Sequence, residues 1–284
     1  MNYDNSLVTL EGFDHLYSFF SSKIDSKLVE TVLESVFLDR KIEGPLARYK
    51  DGKTKALRKS QQIRNMIAML NSLCENPEKI LEIGSATGKM TAEIAKVLEP
   101  TKILGVEIKE ENVFRAMRDF EDRPNLSFVS VDAFSFMPDD RPDATLCLHG
   151  CGSLTDRVLD IALSSSSTVL CAPCCYGLLE KENEQREGYR LPRSRTLKKR
   201  ESEFKKILAR ASHLEGSGIS YHPNIRQIYH DLILVLVNFD RVFYLRERGY
   251  EAGLVRLTTK VGRDINNITY LNSPHSLAIM GRPA

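Results

Sequence analysis

The sequence lacks any apolar run long enough to cross a lipid bilayer. A membrane-spanning helix needs about 20 consecutive apolar residues, and the apolar stretches of these 284 residues are all shorter. The amino-terminal residues 1–5 also lack the basic and apolar regions of a signal peptide. We therefore expect a cytoplasmic protein, or one that reaches its compartment after translation.

The chain also carries little net charge. The 40 Lys and Arg residues nearly balance the 38 Asp and Glu residues, so the net charge is +2. Any attraction for nucleic acid must therefore come from local patches. Two basic segments, Arg48–Arg64 and Arg186–Lys206, qualify, and Tyr49 and Tyr189 within them could stack on bases. Acidic residues alternate with lysines in the second segment, which a solvated helix face would also explain. Together the segments favour an RNA partner over a small molecule.

Cysteine is infrequent but clustered. Of six cysteines, five fall within residues 147–175. In a cytosolic protein of this size, such clustering favours a functional site, a metal or buried thiols over a disulfide framework.

Residues 80–88, Ile-Leu-Glu-Ile-Gly-Ser-Ala-Thr-Gly, carry the most specific local pattern. An apolar run ends in an acid, Glu82, and in a loop with Gly84, Ser85 and Gly88. Glycine permits positive φ and the close approach of a ligand to the backbone. A dinucleotide fingerprint would have a further glycine at Ala86. The loop instead resembles the first motif, E-x-G-x-x-x-G, of class I S-adenosylmethionine-dependent methyltransferases.

The pattern of apolar residues predicts an α/β fold. Residues 1–75 have helical spacing and are expected to form a helical amino-terminal extension. Strands and helices then alternate through residues 76–284, which is typical of a parallel sheet covered by helices on both faces. A charged insertion at about 178–225 interrupts the alternation, and two late strands read as a hairpin. The expectation is a Rossmann-like seven-stranded methyltransferase sheet with strands at 80–83, 103–108, 126–131, 144–148, 168–172, 254–258 and 277–280.

Acidic residues follow each of the first three predicted strands. Glu82, Glu107 and Asp132 would meet at the carboxyl edge of the sheet, where open α/β sheets bind ligands. If the ligand is S-adenosylmethionine, Glu82 could act on its amino group and Glu107 could accept both ribose hydroxyls. Asp132 could accept a hydrogen bond from the adenine amino group, with Ala133 and Phe134 covering the ring. Each acid alone could equally be a solvated carboxylate.

Histidine and cysteine residues follow strands four and five. Residues 147–152 read Cys-Leu-His-Gly-Cys-Gly, and residues 171–177 read Cys-Ala-Pro-Cys-Cys-Tyr-Gly. With a Thr155-Asp156 pair, these turns resemble the methyltransferase-like domain of glutathione S-transferase C-terminal domain-containing proteins and of tRNA 2′-O-methyltransferases. The resemblance implies a methyl transfer to RNA. The chain departs from the tRNA enzymes in having Tyr176-Gly177 where they carry histidines, and in lacking their zinc-finger motifs.

The cysteines of these turns allow three interpretations. They could pack as small buried hydrophobes, bind zinc, or supply a thiolate nucleophile, for which Cys174 is the candidate. Adjacent Cys174-Cys175 spacing suits a single metal poorly, so packing is favoured and no metal is predicted. His149 or Tyr176 would then line the acceptor pocket, and His149 or Asp156 could remove a proton from an acceptor hydroxyl. Asp156 could instead simply complement a helix dipole.

The sequence thus predicts an S-adenosylmethionine-dependent methyltransferase that acts on RNA, with tRNA as the leading candidate. Two other classes stay open. One is a non-catalytic scaffold that binds S-adenosylmethionine or RNA, and the other is a metal or redox protein that uses the His/Cys cluster. The acceptor atom and the oligomeric state do not follow from the sequence.

Overall fold

A computed structural model describes residues 8–21, 55–98, 101–174, 176, 179, 188–216, 223–256 and 277–284. Helices and strands alternate through most of these residues. The helices are α1 (Leu10–Ser21), α2 (Lys55–Leu73), α3 (Lys89–Val97), α4 (Glu110–Asp119), α5 (Leu154–Ser165), α6 (Arg195–Lys198), α7 (Glu201–Gly216) and α8 (Pro223–Arg246).

The described residues contain seven strands, which form one sheet. They are β1 (Lys79–Ile83), β2 (Lys102–Glu107), β3 (Leu126–Ser130), β4 (Ala144–Cys151), β5 (Thr168–Cys174), β6 (Tyr250–Arg256) and β7 (Leu277–Pro283). Their order is β3-β2-β1-β4-β5-β7-β6. The first five are parallel, whereas β7 runs antiparallel to both β5 and β6. This order confirms the predicted Rossmann-like methyltransferase sheet.

Helices cover both faces of the sheet because its central strands are apolar on both sides. On one face α1, α5, α7 and α8 pack in a single apolar core with Leu81, Ile83 and Val169 of the sheet. On the other face α2 and α3 pack against Ile80 and Leu170. Helix α2 lies within the predicted amino-terminal extension, yet its buried residues belong to the core of the sheet. The division at residue 75 stays a prediction.

The predicted charged insertion contains regular structure. Helices α6 and α7 lie within it, and Phe204 and Ile207 of α7 are fully buried in the core with α8. Burial of these apolar residues attaches the segment to the sheet despite its charged composition. Residues 178, 180–187 and 217–222 of the segment lie outside the described part.

Several strands are longer at one end than predicted, because their backbone hydrogen bonds continue beyond the apolar run that indicated each strand. Strand β4 continues past Leu148 to Cys151, and β6 begins at Tyr250 because it pairs with β7 from there onward. Residues 257–276, which include the predicted loop between the last two strands, lie outside the described residues. Among the helices described, none has both the length and the apolar character to span a membrane.

Candidate functional site

The glycine loop lies between β1 and α3 at the carboxyl edge of the sheet. Gly84, Ala86 and Gly88 all have positive φ, at 73°, 50° and 72°. The backbone N–H groups of Gly84 and Ser85 donate hydrogen bonds to the carbonyl oxygen of Val106 in β2, at 2.8 and 3.0 Å. These bonds hold the loop at the end of the adjacent strand, which is the position that ligand binding at this edge requires.

The two predicted glycines serve different purposes. A Cβ on Gly88 would lie 2.7 Å from the Phe128 ring, so this glycine is required for packing as well as for its φ. A Cβ on Gly84 would meet nothing closer than Leu154, at 3.8 Å. Gly84 therefore leaves space beside the loop, and Gly88 does not.

The carboxylate of Glu82 is buried beneath the loop. The residue is 2% exposed, and its Oε2 accepts a hydrogen bond of 2.5 Å from the Thr91 hydroxyl of α3. Thr91 itself is fully buried. This bond ties β1 to α3 across the loop. Any effect of Glu82 on a ligand amino group would therefore be electrostatic or indirect.

Glu107 reaches the glycine loop from the end of β2. Its Oε2 accepts a hydrogen bond from the Ala86 N–H at 3.0 Å, and its Oε1 accepts one from the Lys109 N–H at 2.9 Å. A carboxylate has about four lone-pair positions, so two acceptor positions remain after these bonds. The side chain is half-buried and directed at the loop, as a ligand for a diol would need to be.

The turn after β3 carries the remaining predicted cofactor residues. Oδ1 of the exposed Asp132 accepts a hydrogen bond from the Phe134 N–H at 2.9 Å, and Ala133 is buried. The Phe134 ring meets the Tyr189 ring edge-on, with centroids 5.2 Å apart. The ring of Tyr189, which the sequence predicts to stack on RNA bases, therefore contacts Phe134, which the sequence predicts to cover the adenine ring.

Residues Thr155, Asp156 and Arg157 in the first turn of α5 each hold a different part of this edge. The Thr155 hydroxyl donates to the Gly150 carbonyl at 2.8 Å. Arg157 donates from Nε to the Ala133 carbonyl at 2.8 Å and from Nη2 to the Phe136 carbonyl. The turn after β3 is therefore fastened to α5 by Arg157, a residue that the sequence interpretation missed.

His149 occupies a β-bulge in β4. Leu148 pairs with Ala172 and Gly150 pairs with Pro173, so His149 is an extra residue in the register. Its φ of 72° is uncommon for a residue other than glycine. Bulges of this kind redirect a side chain, and they are frequent beside active sites. His149 is half-buried and lies near the carboxyl end of β4, the neighbour of β1, where the strand order reverses.

Asp156 is buried in an ion pair, which argues against the predicted role as a base. It is fully buried, and its two carboxylate oxygens accept hydrogen bonds from Arg241 at 2.7 and 3.0 Å. Arg241 also donates to the Gly152 carbonyl at 3.0 Å. Burial disfavours the charged guanidinium, but the Asp156 carboxylate outweighs that effect and raises the pKa of Arg241. A carboxylate held in this way cannot reach an acceptor.

Tyr176 belongs to the same buried network rather than to an open acceptor pocket. Its hydroxyl accepts a hydrogen bond from Asn238 at 2.6 Å, and Asn238 in turn accepts one from Arg241 at 3.0 Å. The residue is 3% exposed, and burial raises the pKa of its phenol. The predicted catalytic role of Tyr176 is therefore unsupported by the geometry. Three polar residues, Asn238, Asp240 and Arg241, interrupt the apolar run of α8, and this interruption is the sequence signal for a buried polar network.

Cys174 is too buried to attack a substrate molecule, as the predicted nucleophilic role in catalysis would require. It is 4% exposed, and its Sγ lies 2.9 Å from the Sγ of Cys151 on β4. Within the described residues, no three His, Cys, Asp or Glu side chains are arranged to hold a metal ion. Cys175 lies outside the described residues.

The structure describes only part of the first basic segment. Arg48, Tyr49 and the other residues of the first segment before position 55 lie outside the described part, but Arg64 of α2 is exposed. Arg64 and Lys89 lie beside a cavity of about 440 Å³ at the start of α3. The cavity is lined by Ser60, Ile63, Arg64, Lys89, Ala92, Glu93 and Phe120.

Two arginines of the second segment form ion pairs with acidic residues in helices, one buried and one partly exposed. Arg193 bonds both carboxylate oxygens of Asp160, at 2.8 and 2.9 Å, with its side chain 8% exposed. Arg200 bonds Asp14 of α1 at 2.8 Å. Arg193 is therefore unavailable as a contact for RNA, whereas the Arg200 side chain is still 39% exposed. The segment's exposed basic residues in the described part are Arg190, Arg195, Lys198, Lys199, Lys205 and Lys206.

Known proteins resemble this chain over different shares of its length. Residues 58–182 match a family model described as a methyltransferase domain. The glutathione S-transferase C-terminal domain-containing protein of Bos taurus is 24% identical over 224 residues, which are 77% of this chain and 34% of that protein. Its homolog in Drosophila pseudoobscura pseudoobscura is 33% identical over 125 residues, 43% of this chain and 21% of the homolog. The chain therefore spans about a third or less of the length of these relatives.

Among solved structures, the N-methyltransferase NodS from Bradyrhizobium japonicum WM9 is 14% identical. The match covers 83% of this chain and all of NodS, with a TM-score of 0.42. The sequence match over residues 58–182, together with the strand order of the sheet, shows that this chain contains a class I methyltransferase-like domain.

Proposed function

We propose that this chain is an S-adenosylmethionine-dependent methyltransferase that acts on RNA, with tRNA as the leading substrate. The observation that carries the first part is the meeting of Glu107 with the glycine loop at the end of β2. A carboxylate with acceptor positions left over, beside a backbone loop held open by Gly84, suits a ribose diol. We further propose a cytoplasmic location.

A buried hydroxyl in the loop also fits a bound cofactor. Ser85 is 4% exposed, and its Oγ has no hydrogen-bond partner within the described part of the chain. An unsatisfied buried polar group costs roughly 1–3 kcal/mol, and a ligand in the loop would supply the missing partner. Glu107, Ser85 and the turn at Asp132 to Phe134 would hold the cofactor.

S-adenosylmethionine, when bound, supplies a methyl group activated by its sulfonium centre. His149, at the bulge of β4, is the residue that we assign to the acceptor. Its imidazole would take the proton from an acceptor hydroxyl, because the ordinary pKa of histidine lies close to neutral pH. Asp156 and Tyr176 would act only by keeping the neighbouring turns in place.

Titration calorimetry with S-adenosylmethionine tests the cofactor. Glu107→Gln should weaken binding about tenfold or more, because one loop N–H loses a charged acceptor and the diol loses a carboxylate. Glu110→Gln, an exposed change in the first turn of α4, is the matched control and should leave affinity unchanged. A wild-type protein that fails to bind at millimolar cofactor would refute the proposal.

The cavity beside α3 supports an RNA substrate. Arg64 and Lys89 provide positive charge there, and Phe120 provides an aromatic surface. Glu93, the acidic residue of the lining, is paired with Lys96 at 2.6 Å, which offsets its charge. Phosphate contacts from basic side chains dominate RNA affinity and make it dependent on salt.

RNA binding should therefore respond to charge at this cavity. The double change Arg64→Gln and Lys89→Gln should weaken tRNA binding and lower the salt slope of log K by about 1 to 2. Lys102→Gln, at the opposite edge of the sheet where β2 begins, is the control. Equal effects of both changes would count against the cavity as the RNA site. Transfer of a labelled methyl group to tRNA, DNA and protein pools would identify the substrate class.

A further inference from the structure

Cysteines form two rungs across strands β4 and β5. Cys147 pairs in register with Cys171, and Cys151 pairs with Cys174. Residues that are partners on neighbouring parallel strands point to the same face of the sheet. Each rung therefore brings two thiols together, one rung inside the core and one at the carboxyl edge.

The edge rung has the geometry that a disulfide needs. Partners on adjacent strands lie about 4.8 Å apart, within the Cα separation of about 4.4–6.8 Å found for disulfides. The Sγ atoms of Cys151 and Cys174 are already 2.9 Å apart. Forming a bond of about 2.05 Å would therefore need a movement of only about 1 Å between the sulfur atoms.

The two thiols of the edge rung differ in exposure, which sets their order of reaction. Cys151 is exposed, whereas Cys174, its partner on β5, is 4% exposed. Oxidation follows exposure, so Cys151 would react first and Cys174 would resolve the product.

The core rung provides an internal contrast. Cys147 and Cys171 are fully buried. The hydrogen bond to Cys171, together with burial, raises the pKa of the Cys147 thiol well above its ordinary value. A thiol that stays protonated and inaccessible is inert.

We infer that Cys151 and Cys174 form a site of reversible oxidation, which closes to an intramolecular disulfide on reaction with a hydroperoxide. The Cys151 sulfur attacks one peroxide oxygen and becomes a sulfenic acid, while the other oxygen leaves as water or an alcohol. Cys174 then attacks the sulfenic sulfur, the S–S bond forms, and the sulfenic hydroxyl leaves as water with the thiol proton. A dithiol reductant reverses the change. This inference does not depend on the proposed function.

The test oxidises the full chain with hydrogen peroxide, removes the excess, alkylates the remaining thiols and maps the peptides by mass spectrometry. We expect a linked peptide that joins Cys151 to Cys174, the loss of two hydrogen atoms from the intact mass, and restoration by dithiothreitol. The wild-type map needs no variant, so a folding defect in a variant cannot obscure the result.

Variants then identify the partners. Cys151→Ser and Cys174→Ala should each abolish the linked peptide, whereas Cys175→Ser and Cys74→Ser should leave it intact. A bond from Cys151 to Cys175, a bond between two chains, or a protein that retains both edge thiols under oxidation would overturn the inference.

Discussion

Arg241 and Asp156 lie 85 positions apart in the sequence and meet in the interior of the protein. Arg241 Nη2 donates to Asp156 Oδ2 at 2.7 Å, Nε donates to Oδ1 at 3.0 Å, and both side chains are about 1% exposed. The pair connects α8 to the start of α5. Through Gly152 and Asn238 it also reaches the turn after β4 and Tyr176.

Breaking this pair should destabilise the protein strongly. Arg241→Met removes both hydrogen bonds to the buried Asp156 carboxylate and leaves it only the more distant charge of Arg193, at 3.9 Å. We expect a loss of about 3–5 kcal/mol in the free energy of unfolding. The measurement is urea denaturation followed by circular dichroism. The exposed pair of Arg282 and Glu251, also at 2.8 Å, is the control. Arg282→Met should cost less than about 1 kcal/mol, and equal losses would contradict the prediction.

The strands and helices of the sheet were predictable from local apolar patterns, and the resemblance to methyltransferases supplied the expected topology. Alternating apolar strands and helices lead to a parallel sheet, and acids that follow strands must then gather at one edge. For this reason the sequence correctly places Glu107 at the end of β2 and Asp132 just after β3. The order of β6 and β7 also agreed with the predicted terminal hairpin.

The network around α5 was not predictable in the same way, because its partners are distant in the chain. Asp156 has the sequence position of a residue that complements a helix dipole, and nothing local reveals that Arg241 covers it. The bulge at His149 was also not predictable from local sequence, because it arises from the pairing of β4 with β5. Polar residues that interrupt an apolar run, such as Asn238 and Arg241 in α8, are the local sign of such contacts.

Gly88 should tolerate no side chain, for a steric reason beyond its φ. In Gly88→Ala the new Cβ would lie 2.7 Å from the Phe128 ring. Overpacking of this kind costs about 1–3 kcal/mol, in addition to roughly 1–2 kcal/mol for the left-handed conformation. Gly249→Ala isolates the conformational part, since Gly249 has a φ of 81° and nothing within 4 Å of its Cβ position. Thermal unfolding should show the larger loss for Gly88→Ala.

We expect Arg157 to affect cofactor affinity although it is not one of the residues proposed to contact the cofactor. Arg157→Met removes the hydrogen bonds to the carbonyls of Ala133 and Phe136 and so releases the turn after β3. We expect a five- to twentyfold higher Kd for S-adenosylmethionine, because the turn must be reordered on binding. The exposed Arg118→Met on α4 is the control. An unchanged Kd in Arg157→Met would separate this turn from the cofactor site.

Asp240 should make the stability of the protein depend on pH in the acidic range. The residue is fully buried in α8, where it accepts hydrogen bonds from the backbone N–H groups of Arg193 and Ser194 at 2.7 and 2.9 Å. Burial nevertheless raises the pKa of its carboxyl from 3.8 to about 6, while the bonds from Ser194 and Arg193 act in the opposite direction.

The sign follows from proton binding. Between about pH 4 and 6 the folded protein holds a proton at Asp240 that the unfolded chain has released, so protonation favours the folded state. This contribution is fully present below the unfolded pKa and is lost as the pH rises through about 6.

Asp240→Asn removes the titration, and the difference in unfolding free energy between wild type and variant isolates it from other groups. From pH 7.5 to 4.5 the wild type should gain roughly 1–3 kcal/mol relative to the variant. A difference that is constant across this range, or that changes in the opposite direction, would show that the Asp240 carboxyl is already ionised in the folded protein at pH 4.5. The two backbone hydrogen bonds would then outweigh burial as the determinant of its charge.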